Sequence, residues 1–393
     1  MDIISLDQEY VAGTYGRYPV ALASGKGSIL TGTDGKEYID LTGGIGVNTF
    51  GVADDCWVQA IAAQATVLQH ASNLFYTAPD AKLAQLLCQK TGMKKVFFAN
   101  SGAEANECAI KVARKYSAEK KGAEYYTIIT LVNSFHGRTL TDLAATGQDH
   151  FHRLFQPLTP GFVHTPANDI GALRDMVASV KTAGIMLECV QGEGGVNPLN
   201  RDFVQAAAEI CREQDIPLII DEVQTGNGRT GKLYAYMHFD IQPDIVSTAK
   251  GLGGGLPIGA ALLGEKVCNV LGPGDHGSTY GGNPVCCAGG ISIMQRLDEA
   301  FLAEVQQKSD YIFAALEGAE GIESVTGMGL MLGIQTIKPA KEIVLRCIEK
   351  GVLCLTAKTK IRLLPALNIP MSQLQQAIEI FKSVCKESLE ENL

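Results

Sequence analysis

The sequence predicts an α/β protein, with a mostly parallel sheet carrying helices on both faces and a smaller α+β domain after it. Three observations predict it. Short apolar runs recur between about residues 96 and 263, and most are continuous rather than alternating, as in strands covered on both faces. Helical stretches separate several of them, the pattern of parallel strands joined by crossover helices. After Gly290 the order changes to long helical stretches with shorter strands between them.

Residues 28–41 read as a hairpin turning at Asp34-Gly35. The glycine-rich stretch 43–51 reads as a mobile connection. Helical periodicity follows at 57–69 and 79–90. Val96-Phe97-Phe98 is a short strand and 102–116 a helix. Further strand runs lie at 126–131, 185–190, 218–220, 245–247 and 260–263, with helices near 170–181 and 202–214. One long helix is expected over 291–317, then a strand-rich segment at 325–335 and a helix at 339–350. Strands at 352–355 and 361–364 and a terminal helix at 371–388 complete the chain. The expected division is an N-terminal segment 1–50 that joins the small domain, a large domain 51–290 and a small domain 291–393.

Of 393 residues, 46% are hydrophobic and 19% charged, which suits a large packed core and excludes disorder. The net charge of −9 and the absence of any Lys/Arg block argue against a nucleic-acid partner. The eleven cysteines include no C-x-x-C pair, and several sit in apolar runs, as small buried hydrophobes of a reducing compartment do. Met1 to Glu9 lacks a secretory pattern, and no apolar run reaches membrane-spanning length, so a soluble cytoplasmic protein is expected. No metal-ligand spacing accompanies His136, and no metal is expected.

The chemistry concentrates at strand ends. The run Asp244-Ile-Val-Ser-Thr-Ala ends at Lys250, followed by Gly-Leu-Gly-Gly-Gly. Twenty-nine residues earlier, Pro-Leu-Ile-Ile ends at Asp221. A lysine and an aspartate at the ends of neighbouring buried strands suit pyridoxal phosphate: the amine condenses with the aldehyde, and the acid keeps the ring nitrogen protonated. The glycines follow the lysine, the reverse of a Walker loop, and no G-x-G-x-x-G opens a helix after a first strand. Ser101 and Glu104 match a capping box, and a helix start beside Gly102 is a ready phosphate site; Glu104 is expected to turn its carboxylate away from it. Phe135 could stack on a ring, and Arg138 offers a planar fork to a carboxylate. His136 reads as structural. Glu193 in Gln191-Gly-Glu-Gly-Gly could hold an arginine, and Gln224 could donate to a phenolic oxygen. Glu222 reads as a buried structural carboxylate that accepts backbone donors. Ser278 and Thr279 sit in a small-residue loop that could contact phosphate. Arg362 could clamp a carboxylate from the small domain or sit on the surface.

Taken together, the motifs resemble the class III aminotransferases. The matching pieces are Thr14-Tyr-Gly-Arg-Tyr-Pro-Val, Ser101-Gly-Ala-Glu-Ala-Asn-Glu, Phe135-His-Gly-Arg-Thr, Val190-Gln-Gly-Glu-Gly-Gly, Asp221-Glu-Val-Gln-Thr-Gly-Asn-Gly-Arg-Thr-Gly, Lys250-Gly-Leu-Gly-Gly-Gly, Gly277-Ser-Thr-Tyr-Gly-Gly-Asn-Pro and Arg362-Leu-Leu-Pro-Ala-Leu-Asn. The resemblance covers nearly the whole chain in order. It implies the fold type I of pyridoxal 5'-phosphate enzymes and a homodimer with shared active sites. By resemblance Lys250 is the catalytic lysine, Asp221 binds the ring nitrogen and Phe135 covers the ring. Ser101, Gly102 and Ala103 hold the phosphate, Val223 and Gln224 line the cofactor, and Thr279 reaches the partner's cofactor. Arg138 and Ser278 would contact an amine donor of the N-acetylornithine type, from arginine biosynthesis. Arg362, with Glu193 as its switchable partner, would hold the α-carboxylate of 2-oxoglutarate or glutamate. Succinylornithine, ornithine, 4-aminobutyrate and acetyl-lysine donors, an aminomutase and a non-catalytic scaffold are the alternatives. One departure stands out: the family's Gly-His-x-His-Pro is here Gly51-Val-Ala-Asp-Asp-Cys-Trp57.

Overall fold

In a computed structural model, which describes residues 2–390, the central sheet has seven strands. From edge to edge they are Lys95–Ala99, Gly259–Leu263, Ile245–Thr248, Leu218–Asp221, Thr182–Leu187, Thr127–Leu131 and Phe162–Thr165. The last five in this order run parallel, and Gly259–Leu263 is antiparallel to both its neighbours. Alternate residues of the inner strands enter two separate cores. Ile129, Leu131, Ile185, Leu187, Leu218, Ile220 and Val246 pack on one side. Ile128, Met186, Ile219 and Ile245 pack on the other, against the helix Gly102–Lys121. Burial on both faces is why these strands read as unbroken apolar runs.

The chain's two ends build the rest. The antiparallel strands Leu22–Lys26, Ile29–Gly32 and Glu37–Asp40 gain a fourth, parallel neighbour in Val352–Leu353. A second four-stranded sheet joins Ile322–Met328, Met331–Thr336, Lys360–Leu363 and Leu355–Ala357. The helices Ala340–Glu349 and Met371–Glu390 pack together beside them.

Three expectations need correction, and one strand was not foreseen. The long helix at 291–317 is two helices, Pro284–Arg296 and Glu299–Leu316. The chain breaks at Leu297, and the Asp298 carboxylate restarts it by accepting the Phe301 N–H at 2.8 Å. Residue 290 therefore lies inside a continuous helix that packs on Asp55–Ala65 and Ala78–Thr91. The stretch 43–51 begins as a helical turn, Gly43–Gly46, with four consecutive left-handed residues, Gly43 to Gly46. A Cβ at Gly43 would lie 2.5 Å from the Leu364 carbonyl oxygen, so this close approach requires glycine. The run 185–190 stops at Leu187, and Val190–Gln191 pairs separately with Asn197–Pro198. The edge strand Phe162–Thr165 has too short and mixed a sequence to stand out.

Among the described residues no helix is long and apolar enough to cross a membrane, and no cluster of side chains suits a metal ion. All eleven cysteines are unpaired.

Candidate active site

The carboxyl ends of four adjacent parallel strands converge on one cavity, the place where open α/β sheets bind ligands. Thr127–Leu131 leads to Phe135 and His136, Thr182–Leu187 to Glu188, Leu218–Asp221 ends at Asp221, and Ile245–Thr248 leads to Lys250. The cavity holds about 420 Å³. Asp221 pairs in register with Ser247, so the aspartate and the lysine leave neighbouring strands on the same edge. Lys250 has φ +45°, a left-handed conformation unfavourable to a side chain of its size. The tight turn Lys250–Leu252 fixes it there, closed by the Gly253 N–H on the Lys250 carbonyl at 3.0 Å.

Asp221 is 4% exposed and well partnered. Its Oδ2 accepts from Asn106 Nδ2 at 2.8 Å and lies 2.8 Å from His136 Nδ1, while Oδ1 accepts the Val223 N–H at 3.0 Å. Asn106 also ties to the His136 carbonyl at 2.6 Å. His136 thus lines the cavity and orients the acid. Neither Asn106 nor Glu188 was among the sequence candidates. Asn106 stands one helical turn after Gly102, a spacing that puts both on one helix face. Glu188 hides within an apolar run. It accepts the Phe135 N–H at 2.9 Å and the Gly192 N–H at 3.2 Å, and burial pushes its carboxyl up to about 7 despite His136.

The helix Gly102–Lys121 begins at the cavity wall. Ser101 caps it, its Oγ accepting the Glu104 N–H at 3.1 Å. Glu104 does not return the bond to Ser101; its carboxylate takes the Asn100 N–H at 2.5 Å and Asn100 Nδ2 at 3.2 Å, which holds it beside the preceding residue. The first-turn N–H groups of Gly102 and Ala103 have no earlier carbonyl to bond and are free for an anion. A Cβ at Gly102 would lie 2.6 Å from Val223 Cγ1, so only glycine lets this helix start approach the 221–224 segment.

These residues fit pyridoxal phosphate on the structure's own terms. One cavity offers an anion-binding helix start, an aromatic ring, a buried acid with spare acceptor capacity and a buried amine. Burial pushes the Lys250 amine down; Glu193 opposes and Arg362 adds to the fall.

Beyond Gln224, which lines the cavity, lies an ion pair. Arg362 Nη1 meets Glu193 Oε1 at 2.5 Å, and Gln224 contacts both, at 3.1 Å from Arg362 Nη1 and 3.4 Å from Glu193 Oε1. Arg362 is 3% exposed, in the strand Lys360–Leu363, so the surface alternative falls. Burial alone would raise the Glu193 carboxyl, but Arg362, then Lys250 and Gln224, hold it below the usual range. Glu222 is fully buried, taking the Tyr236 N–H at 2.8 Å and the Thr225 hydroxyl at 2.5 Å, the structural arrangement.

Three further candidates stand outside the cavity lining, as Glu193 and Arg362 do. Arg138 is exposed, its guanidinium carbon 5.7 Å from the Phe135 ring centre and 4.7 Å from that of Phe151. Ser278 Oγ is engaged by Asn100 Nδ2 at 3.1 Å and the Gly281 N–H at 3.0 Å. Thr279 is exposed on the same loop. Behind the site Asp142 is fully buried. Burial first, then Glu107 and Asp221, push its carboxyl up to about 9 against the Thr139 hydroxyl.

The unusual segment 51–57 supports the lysine turn. Asp54 accepts the Trp57 N–H at 3.0 Å, starting the helix Asp55–Ala65, and pairs with Arg296 at 2.7 Å. The Trp57 indole Nε1 donates to the Gly253 carbonyl at 2.9 Å, and a Cβ at Gly254 would lie 3.2 Å from that nitrogen.

Comparison with known proteins places this site in context. The profile described as Aminotransferase class-III matches residues 10–385. An acetylornithine aminotransferase of Haemophilus ducreyi is 51% identical over 387 residues, 98% of each chain. One from Methanocaldococcus jannaschii is 43% identical over 390 residues, again 98% of each. Among solved structures, an ornithine aminotransferase from Toxoplasma gondii superimposes with TM-score 0.95 at 30% identity, covering 99% of this chain and 95% of that one. An N-acetylornithine aminotransferase from Stenotrophomonas maltophilia gives 0.86 at 34%, covering 99% and 100%.

Proposed function

The chain belongs to the class III aminotransferases, and from that premise we propose that it moves the terminal amine of N2-acetyl-L-ornithine to 2-oxoglutarate. The products are N-acetylglutamate 5-semialdehyde and L-glutamate, within arginine biosynthesis. Pyridoxal 5'-phosphate, when bound, supplies an aldehyde that takes up amines and a protonated ring that draws electrons from the substrate carbon.

The chain's own residues do the rest. Gly102 and Ala103 bind the phosphate through their N–H groups, with Ser101 fixing the helix start. Phe135, Val223 and Gln224 line the cavity and would hold the ring. Asp221, oriented by Asn106 and His136, holds a proton at the ring nitrogen. Lys250 Nζ, depressed by burial, is the base that takes the proton from the substrate carbon and returns it. Arg138 and Ser278 receive the donor's carboxylate end.

The observation that carries the reading is the closed Glu193–Arg362 pair. A donor that presents a terminal amine has no carboxylate beside the reacting carbon, and the closed pair leaves no bare cation there. 2-Oxoglutarate has one, and Arg362 is free to take it once Glu193 swings away. One site then serves two differently charged partners.

A homodimer completes the reading. Thr279 is exposed in the single chain, close to Tyr280, and Leu74, Phe75 and Tyr76 are likewise exposed apolar side chains. Placement in the cytoplasm belongs to the same reading, with eleven unpaired cysteines in its favour.

The test is a panel of ω-amino donors with 2-oxoglutarate, scored as glutamate formed and ranked by kcat/KM. N-Acetylornithine is expected to lead. Ornithine ahead of it would replace the donor, and isomerisation of an amino aldehyde without added 2-oxoglutarate would point to an aminomutase.

A further inference from the structure

The geometry points to Phe151 as a positioning residue of the donor site: with Phe135 it holds the Arg138 guanidinium by its aromatic face, leaving the charge open to a substrate carboxylate. This rests on the donor reading above and deepens it, because it names what selects donors whose carboxylate is remote from the transferred amine.

Arg138 and Arg362 are kept in opposite states. Arg362 is buried and neutralised by Glu193. Arg138 is exposed, and among the described residues its recorded contacts are with aromatic rings, at 4.7 Å from the Phe151 centre and 5.7 Å from that of Phe135. A carboxylate partner would cancel the charge and occupy the planar fork. An aromatic ring does neither, since the attraction is between the cation and the ring's quadrupole. It also narrows the rotamers of a long side chain that would otherwise lose that freedom on binding.

The platform is itself held rigidly. Phe151 meets Phe135 edge-on at 5.9 Å and 64°, and the His150 ring lies 4.0 Å from it. Gln148 is buried, and its Nε2 donates to the Ser134 carbonyl at 3.0 Å; Ser134 Oγ in turn accepts the Gly147 N–H at 3.0 Å. His152 Nε2 lies 2.7 Å from the Thr146 carbonyl oxygen and 2.9 Å from that of Leu143. The turn carrying Phe151 is therefore bolted to the loop carrying both Phe135 and Arg138. Since Phe135 lines the cavity, the fork is set at a fixed distance from the reacting end.

The experiment compares N-acetylornithine with N-acetyl-1,4-diaminobutane, the same molecule without its carboxylate, in single turnovers of the cofactor-loaded enzyme. Phe151→Leu keeps the volume apolar and removes the ring. It is expected to weaken N-acetylornithine about three- to fivefold through its half-saturating concentration. The rate at saturation and the whole profile of the carboxylate-free donor should hold. Phe151→Tyr is expected to restore wild-type preference, and Arg138→Ala to exceed the effect of Phe151→Leu in the same direction. Equal losses for both donors in Phe151→Leu, or none for either, would overturn the inference alone. A wild-type enzyme inert toward N-acetylornithine would sink the donor reading and this inference with it.

Discussion

Arg362 and Glu193 are joined across 169 residues of chain by a contact of 2.5 Å, with Gln224 touching both. The arginine comes from a strand of the C-terminal sheet and the glutamate from the turn between the short paired strands Val190–Gln191 and Asn197–Pro198. Two distant parts of the chain thus meet in this ion pair, which the proposed function makes the switch between the two half-reactions. Glu193→Gln keeps the shape and removes the charge. It is expected to lower kcat/KM for the amine donor by about tenfold, a loss of roughly 1.4 kcal/mol. The 2-oxoglutarate half-reaction should be unchanged or faster. Separate single-turnover measurements of the halves check this; an equal loss in both would remove the gating role.

Lys250→Ala is expected to leave a folded protein that binds the cofactor without the visible absorption of the lysine-linked form. Turnover should fall by at least about 10²–10⁴-fold, the contribution of one positioned acid–base group. Wild-type transamination by a purified variant would refute the role. A fall in turnover with loss of the circular dichroism of the folded chain would instead mark a structural lysine.

Asp142 makes stability depend on pH. Its carboxyl lies at about 9 in the fold and starts from 3.8, so the native state is the better proton binder between those values. Stability from this group is fullest below about pH 4 and declines as pH rises through that window. Asp142→Asn removes the dependence. The variant should melt close to wild type at pH 4 and above it at pH 8, with an advantage on the order of 5 kcal/mol. A constant offset between the two melting curves across that range would contradict the assignment.

The sheet was legible because its strands are buried on both faces, so Leu218–Asp221 and Ile245–Thr248 stand out as apolar runs with a charged residue at or just beyond one end. Lys250 and Asp221 could be picked for that reason. Glu188 could not, because Cys189 and Val190 continue the apolar run past it and only the fold shows the strand stopping at Leu187. Asn106 is an ordinary polar residue within a helix until the helix is laid against Asp221. The break at Leu297 is invisible to periodicity, since apolar spacing carries through it and only a capping aspartate marks the restart. Phe151 belongs to a four-residue helical turn, too short for any pattern, and its role depends on a loop thirteen residues earlier.

The chain contains a single tryptophan, and its indole nitrogen is fastened to the backbone three residues beyond Lys250. All indole emission from this protein therefore originates at one known point. Loading, unloading or loosening of that turn can be followed on the natural polypeptide, with no dye attached, by exciting at the red edge of the indole band beyond the absorption of the twelve tyrosines.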